Sequence, residues 1–190
     1  MATARPLRRR TAANDRQRPD GRRFTEAAAL YGIPHWGKGF FAVSEDGDLL
    51  VRPTREEGRS IALKQIVDEV ARRGISTPLI VRFPQILSAA VANLNDAFAR
   101  AIEEYGYPSV FRGVFPIKVN QKRVVVEHII EAGRRYGYGL EAGSKPELLA
   151  AIAADLAPES LITCNGYKDD TFIRMALNAV RMKKKVVLIL

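Results

Sequence analysis

Three segments of the chain place a polar or reactive side chain directly after a short apolar run. Lys118 follows Val114–Ile117, Glu141 follows Tyr138–Leu140, and Asn165 follows Leu161–Cys164. Short apolar runs of this kind are typical of buried parallel strands, whose carboxyl ends meet at one edge of the sheet. We therefore expect the Glu141 carboxylate to approach the Lys118 amine.

The chemistry that Lys118 could perform is that of an amine nucleophile. Only the neutral amine adds to an aldehyde, and removal from water favours the neutral form. A lysine at the end of an apolar strand also has an ordinary explanation, because its long stem can carry the ammonium group out to solvent. Spacing alone leaves both interpretations open.

The residues after the other two strands have structural interpretations as well. Ser144–Glu147 has the spacing of a capping box with proline in the first turn, which accounts for Ser144 and Glu147 by helix capping. Asn165 is a common turn residue, and Asp169 or Asp170 can cap the next helix. Cys164 is expected to be a small buried residue.

The elements that must position these residues alternate regularly. Apolar positions at steps of three and four predict helices around residues 66–71, 87–105, 125–130, 148–152 and 172–180. The predicted strands are Phe40–Val43, Leu49–Val51, Pro78–Phe83, Val110–Ile117, Tyr138–Leu140, Leu161–Cys164 and Lys185–Leu190. Residues 45–48 predict a hairpin turn, and Thr54–Glu57 has capping-box spacing ahead of the first of these helices. From Pro78 onward the order predicts a parallel α/β architecture.

The composition is that of a globular protein with a basic amino terminus. The chain has 190 residues, 47% of them hydrophobic, and a net charge of +9. Residues 1–23 carry eight arginines and two aspartates, or +6 of that charge, with almost no apolar content. We expect a disordered basic tail, which argues against a nucleic-acid partner for the folded part. One cysteine and no apolar run of membrane-spanning length favour a cytoplasmic protein without a membrane partner.

Taken together, the segments resemble a known family. Phe115–Gln121, Gly139–Leu148 and Cys164–Asp169 occur in the order and spacing of biosynthetic arginine decarboxylases. Further similar segments are Tyr31–Trp36, Val51–Pro53 and Arg82–Leu87. The resemblance runs from about Phe24 to Leu190, and the wider group includes the ornithine and diaminopimelate decarboxylases.

The resemblance implies a fold, a cofactor and a reaction. The fold would be the first part of a (β/α)8 barrel like that of alanine racemase, preceded by a small β-containing region. Lys118 would form a Schiff base with pyridoxal 5′-phosphate, and Glu141 and Asn165 would lie at the cofactor. The reaction would convert L-arginine to agmatine and carbon dioxide in polyamine biosynthesis. Magnesium and a homo-oligomeric parent enzyme are also implied, with no metal ligands identifiable here.

The chain stops at Leu190 inside an apolar run, and only about 80 residues follow the first of the predicted barrel strands. A complete (β/α)8 barrel needs roughly 200 residues or more. We therefore expect a fragment, inactive alone, with a tail at 1–23, a β-containing region at 24–83 and half a barrel at 84–190. Alternatives are a related decarboxylase of ornithine or diaminopimelate, a non-catalytic cofactor-binding relative, or a basic interaction module.

Overall fold

The structure is a computed structural model that describes residues 21–190, with side chains from Glu26 onward. These residues divide into two compact units between Ser76 and Thr77. The basic tail predicted at the amino terminus lies outside the described residues up to position 20, and the first helix begins at Gly21. The domain limits drawn from the sequence remain predictions.

The first unit contains a small antiparallel sheet with three helices. Its elements are α1 (Gly21–Leu30), α2 (Ile33–Trp36), β1 (Phe41–Val43), β2 (Leu49–Val51), β3 (Ile61–Ala62) and α3 (Leu63–Arg72). β1 and β2 form the predicted hairpin, in which the Asp48 amide donates to Ser44 Oγ at 3.0 Å. Val51 is fully buried at the centre of this sheet.

The second unit contains a parallel sheet with helices between its strands. Its helices are α4 (Pro84–Glu104), α5 (Arg123–Gly133), α6 (Lys145–Ala153) and α7 (Asp170–Arg181). Its strands are β4 (Val114–Pro116), β5 (Gly139–Ala142), β6 (Leu161–Cys164) and β7 (Lys185–Leu188), in spatial order β4-β5-β6-β7. Every neighbouring pair in this sheet is parallel, which confirms the predicted α/β class.

The core of the second unit lies on the helix-covered face of this sheet. Leu140 and Ala142 on β5 and Ile162 and Cys164 on β6 are fully buried against side chains of α6 and α7, including Phe172. Successive strand residues point to opposite faces, so Glu141 and Thr163 share the other face. A second cluster joins α4 to α5, where Ser88 Oγ lies 2.9 Å from His128 Nε2.

Several predicted elements differ from the structure. Pro78–Phe83 forms no strand among the described residues, because it has no hydrogen-bonded neighbour there and Ile80 is 77% exposed. Of the predicted strand Val110–Ile117, only Val114–Pro116 forms a strand. A 3₁₀ turn begins at Ile117 and ends the strand there. Strand β7 was predicted to be buried, but Val187 and Leu188 are 41% and 37% exposed.

The predicted capping box at Thr54 is also wrong, although the helix that it was meant to start is present. Residues 53–59 form turns, and α3 begins only at Leu63, after Ala62, whose side chain makes no capping hydrogen bond. The short polar side chains that cap helices stabilise turns equally well. The apolar period therefore located this helix correctly, whereas the motif did not.

Candidate active site

Lys118 lies immediately beyond the carboxyl end of β4. The chain turns there through one 3₁₀ turn, Ile117–Val119, whose Ile117 side chain is buried in the core. This anchor fixes the position of the turn while Lys118 points away from the core with 55% of its side chain exposed. Of the two interpretations that spacing left open for Lys118, the side chain that reaches solvent is the one seen in the described residues.

Glu141 is the partner of Lys118. Lys118 Nζ donates to Glu141 Oε1 at 3.5 Å, although 23 residues separate the two along the chain. Glu141 faces Pro116 across the β4–β5 pair and Thr163 across the β5–β6 pair. Its side chain is only 7% exposed, and its second oxygen, Oε2, is buried without a hydrogen-bond partner in the described residues. The predicted approach of this carboxylate to Lys118 is thus present.

The amino terminus of α6 borders the same end of the sheet. Ser144 Oγ accepts a hydrogen bond from the Glu147 amide at 3.4 Å, as the predicted cap requires. Glu147 departs from the usual capping box because its Oε2 accepts from the Gly143 amide at 2.6 Å instead of the Ser144 amide. Gln121 Nε2 donates to Glu147 Oε1 at 3.4 Å and so links the loop after Lys118 to this cap.

Asn165 lies at the same end of the sheet but on the surface. Its backbone N–H donates to the Ala142 carbonyl oxygen at 2.9 Å, which extends the β5–β6 pairing by one residue. The Asn165 side chain is exposed and makes no hydrogen bond among the described residues. The structure therefore brings Lys118 and Glu141 into contact and places Asn165 in the adjoining loop, where its side chain has no hydrogen bond to either of them.

The loops after β5 and β6 touch through backbone atoms. A Cβ at position 166 would lie 2.1 Å from the Gly143 carbonyl oxygen, so no side chain fits there without displacing the chain. Lys145 and Asp169 add an ion pair across the same two loops. Asp169 also caps α7 by accepting from the Phe172 amide at 2.9 Å. The Lys145 ammonium group and, next, that amide hold the pKa of Asp169 below its usual value.

Comparison with known proteins identifies this arrangement. The sequence model of the family described as "Pyridoxal-dependent decarboxylase, pyridoxal binding domain" matches residues 91–187. The chain belongs to this family. The match includes Lys118, Glu141 and Asn165, so every site residue predicted from the sequence lies within the part that defines the pyridoxal-dependent decarboxylases.

Several individual proteins to which the chain is similar are biosynthetic arginine decarboxylases. That of Deinococcus radiodurans is 49% identical over 163 residues, or 86% of this chain and 24% of the relative. That of Gloeobacter violaceus is 46% identical over 157 residues, or 83% of this chain and 24% of the relative. The crystal structure of the Campylobacter jejuni biosynthetic arginine decarboxylase covers 83% of this chain with a TM-score of 0.75 and 36% identity. The chain spans about a quarter of the length of these proteins.

Three features of the site were not predicted from the sequence. The alternation of residues in Leu161–Cys164 could have placed Thr163 on the face that carries Glu141, because Thr163 is the polar residue of the run and lies between Ile162 and Cys164, which point to the core. The Lys145–Asp169 ion pair could have been anticipated because both residues follow neighbouring parallel strands. The close approach of Gly166 to Gly143 had no local sequence signal beyond the two glycines themselves.

Three further features of the described residues concern a cavity, metal ions and membranes. A cavity of about 810 Å³ is lined by Ile117, Leu140 and both apolar and charged residues of α5, α6 and the segments that follow them, but by neither Lys118 nor Glu141. Among residues 26–190, no three His, Cys, Asp or Glu side chains stand together as metal ligands. Over the same residues, no helix has the length and apolar character needed to cross a membrane.

Proposed function

We propose that this chain supplies the cofactor-bearing lysine of a pyridoxal 5′-phosphate-dependent decarboxylase that converts L-arginine to agmatine and carbon dioxide. The observation that supports it is the Lys118–Glu141 contact at the carboxyl ends of β4 and β5. Active sites of α/β barrels lie at this end of the strands. The parallel sheet and its similarity to a solved arginine decarboxylase support a partial (β/α)8 barrel.

The described residues fit such a cofactor on chemical grounds. A pyridoxal aldehyde requires an amine, and the exposed part of Lys118 leaves its amine accessible. A nearby carboxylate favours the protonated state of a nitrogen, and Glu141 is held close to that amine with one buried oxygen still unpartnered. Lys118 would bind the cofactor, Glu141 would hold a proton at the lysine nitrogen, and Asn165 would border the site from the next loop.

Pyridoxal phosphate, when bound, supplies an aldehyde for amines and a ring that accepts the electrons released as the α-carboxylate leaves. The contribution of this chain is to fix one amine and one carboxylate relative to each other. Both are placed by strand register, since Pro116 and Glu141 are direct neighbours in the β4–β5 pair and Lys118 follows two residues later. Positioning of this kind depends on the sheet and not on a flexible loop.

Arginine as substrate is inferred from the relatives, which are named biosynthetic arginine decarboxylases. A role in polyamine biosynthesis, a cytoplasmic location and a homo-oligomeric parent enzyme belong to the same proposal. The absence of a nucleic-acid or membrane partner is also proposed. No described side chain is seen to bind a guanidinium group. The choice of substrate is therefore tested by assay.

The test is borohydride trapping of the cofactor on the full-length parent protein. Reduction followed by proteolysis should place the pyridoxyl label on the peptide that contains Lys118. Lys118→Ala should abolish the label and the visible absorption of the bound cofactor. Lys122→Ala is the matched control, since Lys122 is an exposed lysine four residues away, and it should leave both unchanged.

The same preparation decides the substrate. Carbon dioxide release should be fastest from L-arginine and should fall at least about a hundredfold with L-ornithine or diaminopimelate, because a site built for one charged group leaves its polar groups unpaired with another. A label on a peptide without Lys118 would refute the assignment of the lysine. Faster release from either other amino acid would refute the substrate.

A further inference from the structure

The buried oxygen Glu141 Oε2 needs a hydrogen-bond donor. An unsatisfied buried polar atom costs about 1–3 kcal/mol, and more when it is charged. Lys118 binds only the other oxygen, Oε1. Strand β5 is paired with β4 on one side and β6 on the other, so among the described residues the candidate donors are side chains on the same face of those strands.

Strand register limits which side chain that can be. The residues beside Glu141 on the same face are Pro116 on β4 and Thr163 on β6. Pro116 has no donor of any kind. Thr163 has a hydroxyl group, and its Oγ1 is also buried without a partner in the described residues. A buried acceptor, Glu141 Oε2, and a buried hydroxyl donor, Thr163 Oγ1, therefore lie on directly paired residues, and each lacks a hydrogen-bond partner in the described residues.

We propose that Thr163 is a positioning residue whose hydroxyl donates to Glu141 Oε2 and holds the carboxylate against Lys118. Neighbouring strands lie about 4.8 Å apart, a spacing that a hydrogen bond between side chains of directly paired residues can span. Lys118 follows β4 on one side of Glu141, and Thr163 lies on β6 on the other side. The carboxylate is then bound from both sides and cannot rotate away from the lysine.

The role of this hydrogen bond in positioning the carboxylate rests on the proposed function, but the hydrogen bond itself can be tested in the absence of the cofactor. In the cofactor-free full-length protein, Thr163→Val keeps the shape of the side chain and removes the hydroxyl group. If the hydroxyl binds Glu141, the melting temperature should fall by about 2 °C or more, because a buried carboxylate oxygen loses its donor. If the hydroxyl has no partner, the apolar valine should leave the melting temperature unchanged or raise it.

Three further variants make the assignment specific. Thr163→Ser retains the hydroxyl group and should restore most of the loss. In a Glu141→Met background, Thr163→Val should cause no further fall, because no carboxylate is left to bind. Ser160→Ala is the control for loss of a buried hydroxyl group, since Ser160 Oγ is equally buried and unpartnered but lies at the opposite end of β6. It should not lower the melting temperature.

The cofactor-loaded protein then tests positioning as distinct from packing. A carboxylate held beside the lysine nitrogen favours its protonated form, so Thr163→Val should lower the pH midpoint of the cofactor's visible absorption by about half a pH unit or more. The shift should disappear in the Glu141→Met background. A shift of equal size there would overturn the proposal, as would an unchanged midpoint in a protein that absorbs normally.

The two proposals fail in different ways. If the borohydride label lies elsewhere than Lys118 but the melting temperatures still show coupling between Thr163 and Glu141, the hydrogen bond stands and the cofactor assignment is wrong. If Lys118 carries the label and no coupling appears, Thr163 has no part in the site.

Discussion

Glu141 combines two properties that rarely occur together at a position chosen for stability alone. Its side chain is almost completely buried, yet its partner Lys118 is more than half exposed to solvent. Burying a carboxylate is costly, and an ion pair with one solvated member returns little of that cost. Charged groups kept in such places are more often retained for chemistry than for stability. Glu141 therefore supports a functional role for this pair as much as Lys118 does.

The Lys145–Asp169 ion pair predicts a pH dependence at the scale of single residues. The pKa of Asp169 is depressed in the folded state, first by the Lys145 ammonium group and then by the Phe172 amide. A depressed carboxyl pKa contributes stability that is present above the unfolded value, near about 3.9, and is lost as the pH falls through the folded value. Lys145→Met should therefore lower the melting temperature at pH 7 and have no effect near pH 2.

The measurement is thermal unfolding of the parent protein and the variant across this pH range. Lys122→Met is the matched control, because Lys122 makes no ion pair among the described residues and should not affect the melting temperature at either pH. A deficit of Lys145→Met that persists undiminished at pH 2 would show that the variant acts through packing and not through the Asp169 carboxylate.

At the scale of elements, apolar periodicity predicted the helices and strands of the second unit from residue 84 onward. The helix stripe that includes Leu148 and the apolar run at Leu161–Cys164 correspond to α6 and β6. Strand assignment failed at Pro78–Phe83, because whether an apolar segment pairs depends on a neighbour that local sequence does not reveal. The sequence predicted that Glu141 approaches Lys118, because both follow neighbouring strands. It did not predict that Glu141 Oε2 lacks a donor, because that depends on side-chain positions that local sequence does not reveal.

The contact between the loops after β5 and β6 predicts an intolerance of side chains at Gly166. Gly166→Ala would place a Cβ 2.1 Å from the Gly143 carbonyl oxygen, so the backbone of one loop must move. We expect a loss of about 2 kcal/mol or more in the free energy of unfolding, similar to overpacked cores. The displaced loop follows β5 directly, so labelling of Lys118 by borohydride should also weaken.

The control for this substitution is Gly58→Ala. A Cβ at position 58 meets no atom within 4 Å, so the variant should unfold and label as the parent protein does. Comparison of urea unfolding curves with the yield of labelled Lys118 peptide measures both effects. Normal stability and labelling of Gly166→Ala would mean that the two loops can separate without consequence for the site.

At the scale of the whole molecule, exposed apolar residues follow the last strand of the parallel sheet, and the face that carries Glu141 and Thr163 lies opposite the face that packs on α6 and α7. Leu190 is fully exposed, Ile189 is 44% exposed, and the chain matches about a quarter of the length of its relatives. Apolar surface of this kind is stabilised by burial against further structure, at about 25 cal/mol per Å². Enclosure would also remove water from the half-exposed Lys118, and loss of water strengthens electrostatic interactions in a site.

The polypeptide of residues 1–190 alone is therefore expected to be inactive. With added pyridoxal phosphate and L-arginine, it should release carbon dioxide no faster than the cofactor in buffer, whereas the full-length parent should turn over arginine. The physical reason is that Lys118, although in contact with the buried Glu141, has more than half of its side chain exposed to solvent, and water weakens electrostatic interactions at the site. Radiolabelled carbon dioxide release, with Lys118→Ala full-length protein as the inactive reference, measures the difference. Turnover by residues 1–190 would contradict this expectation. It would mean that Lys118 and Glu141 at the ends of β4 and β5 are sufficient for the reaction without further enclosure of the lysine.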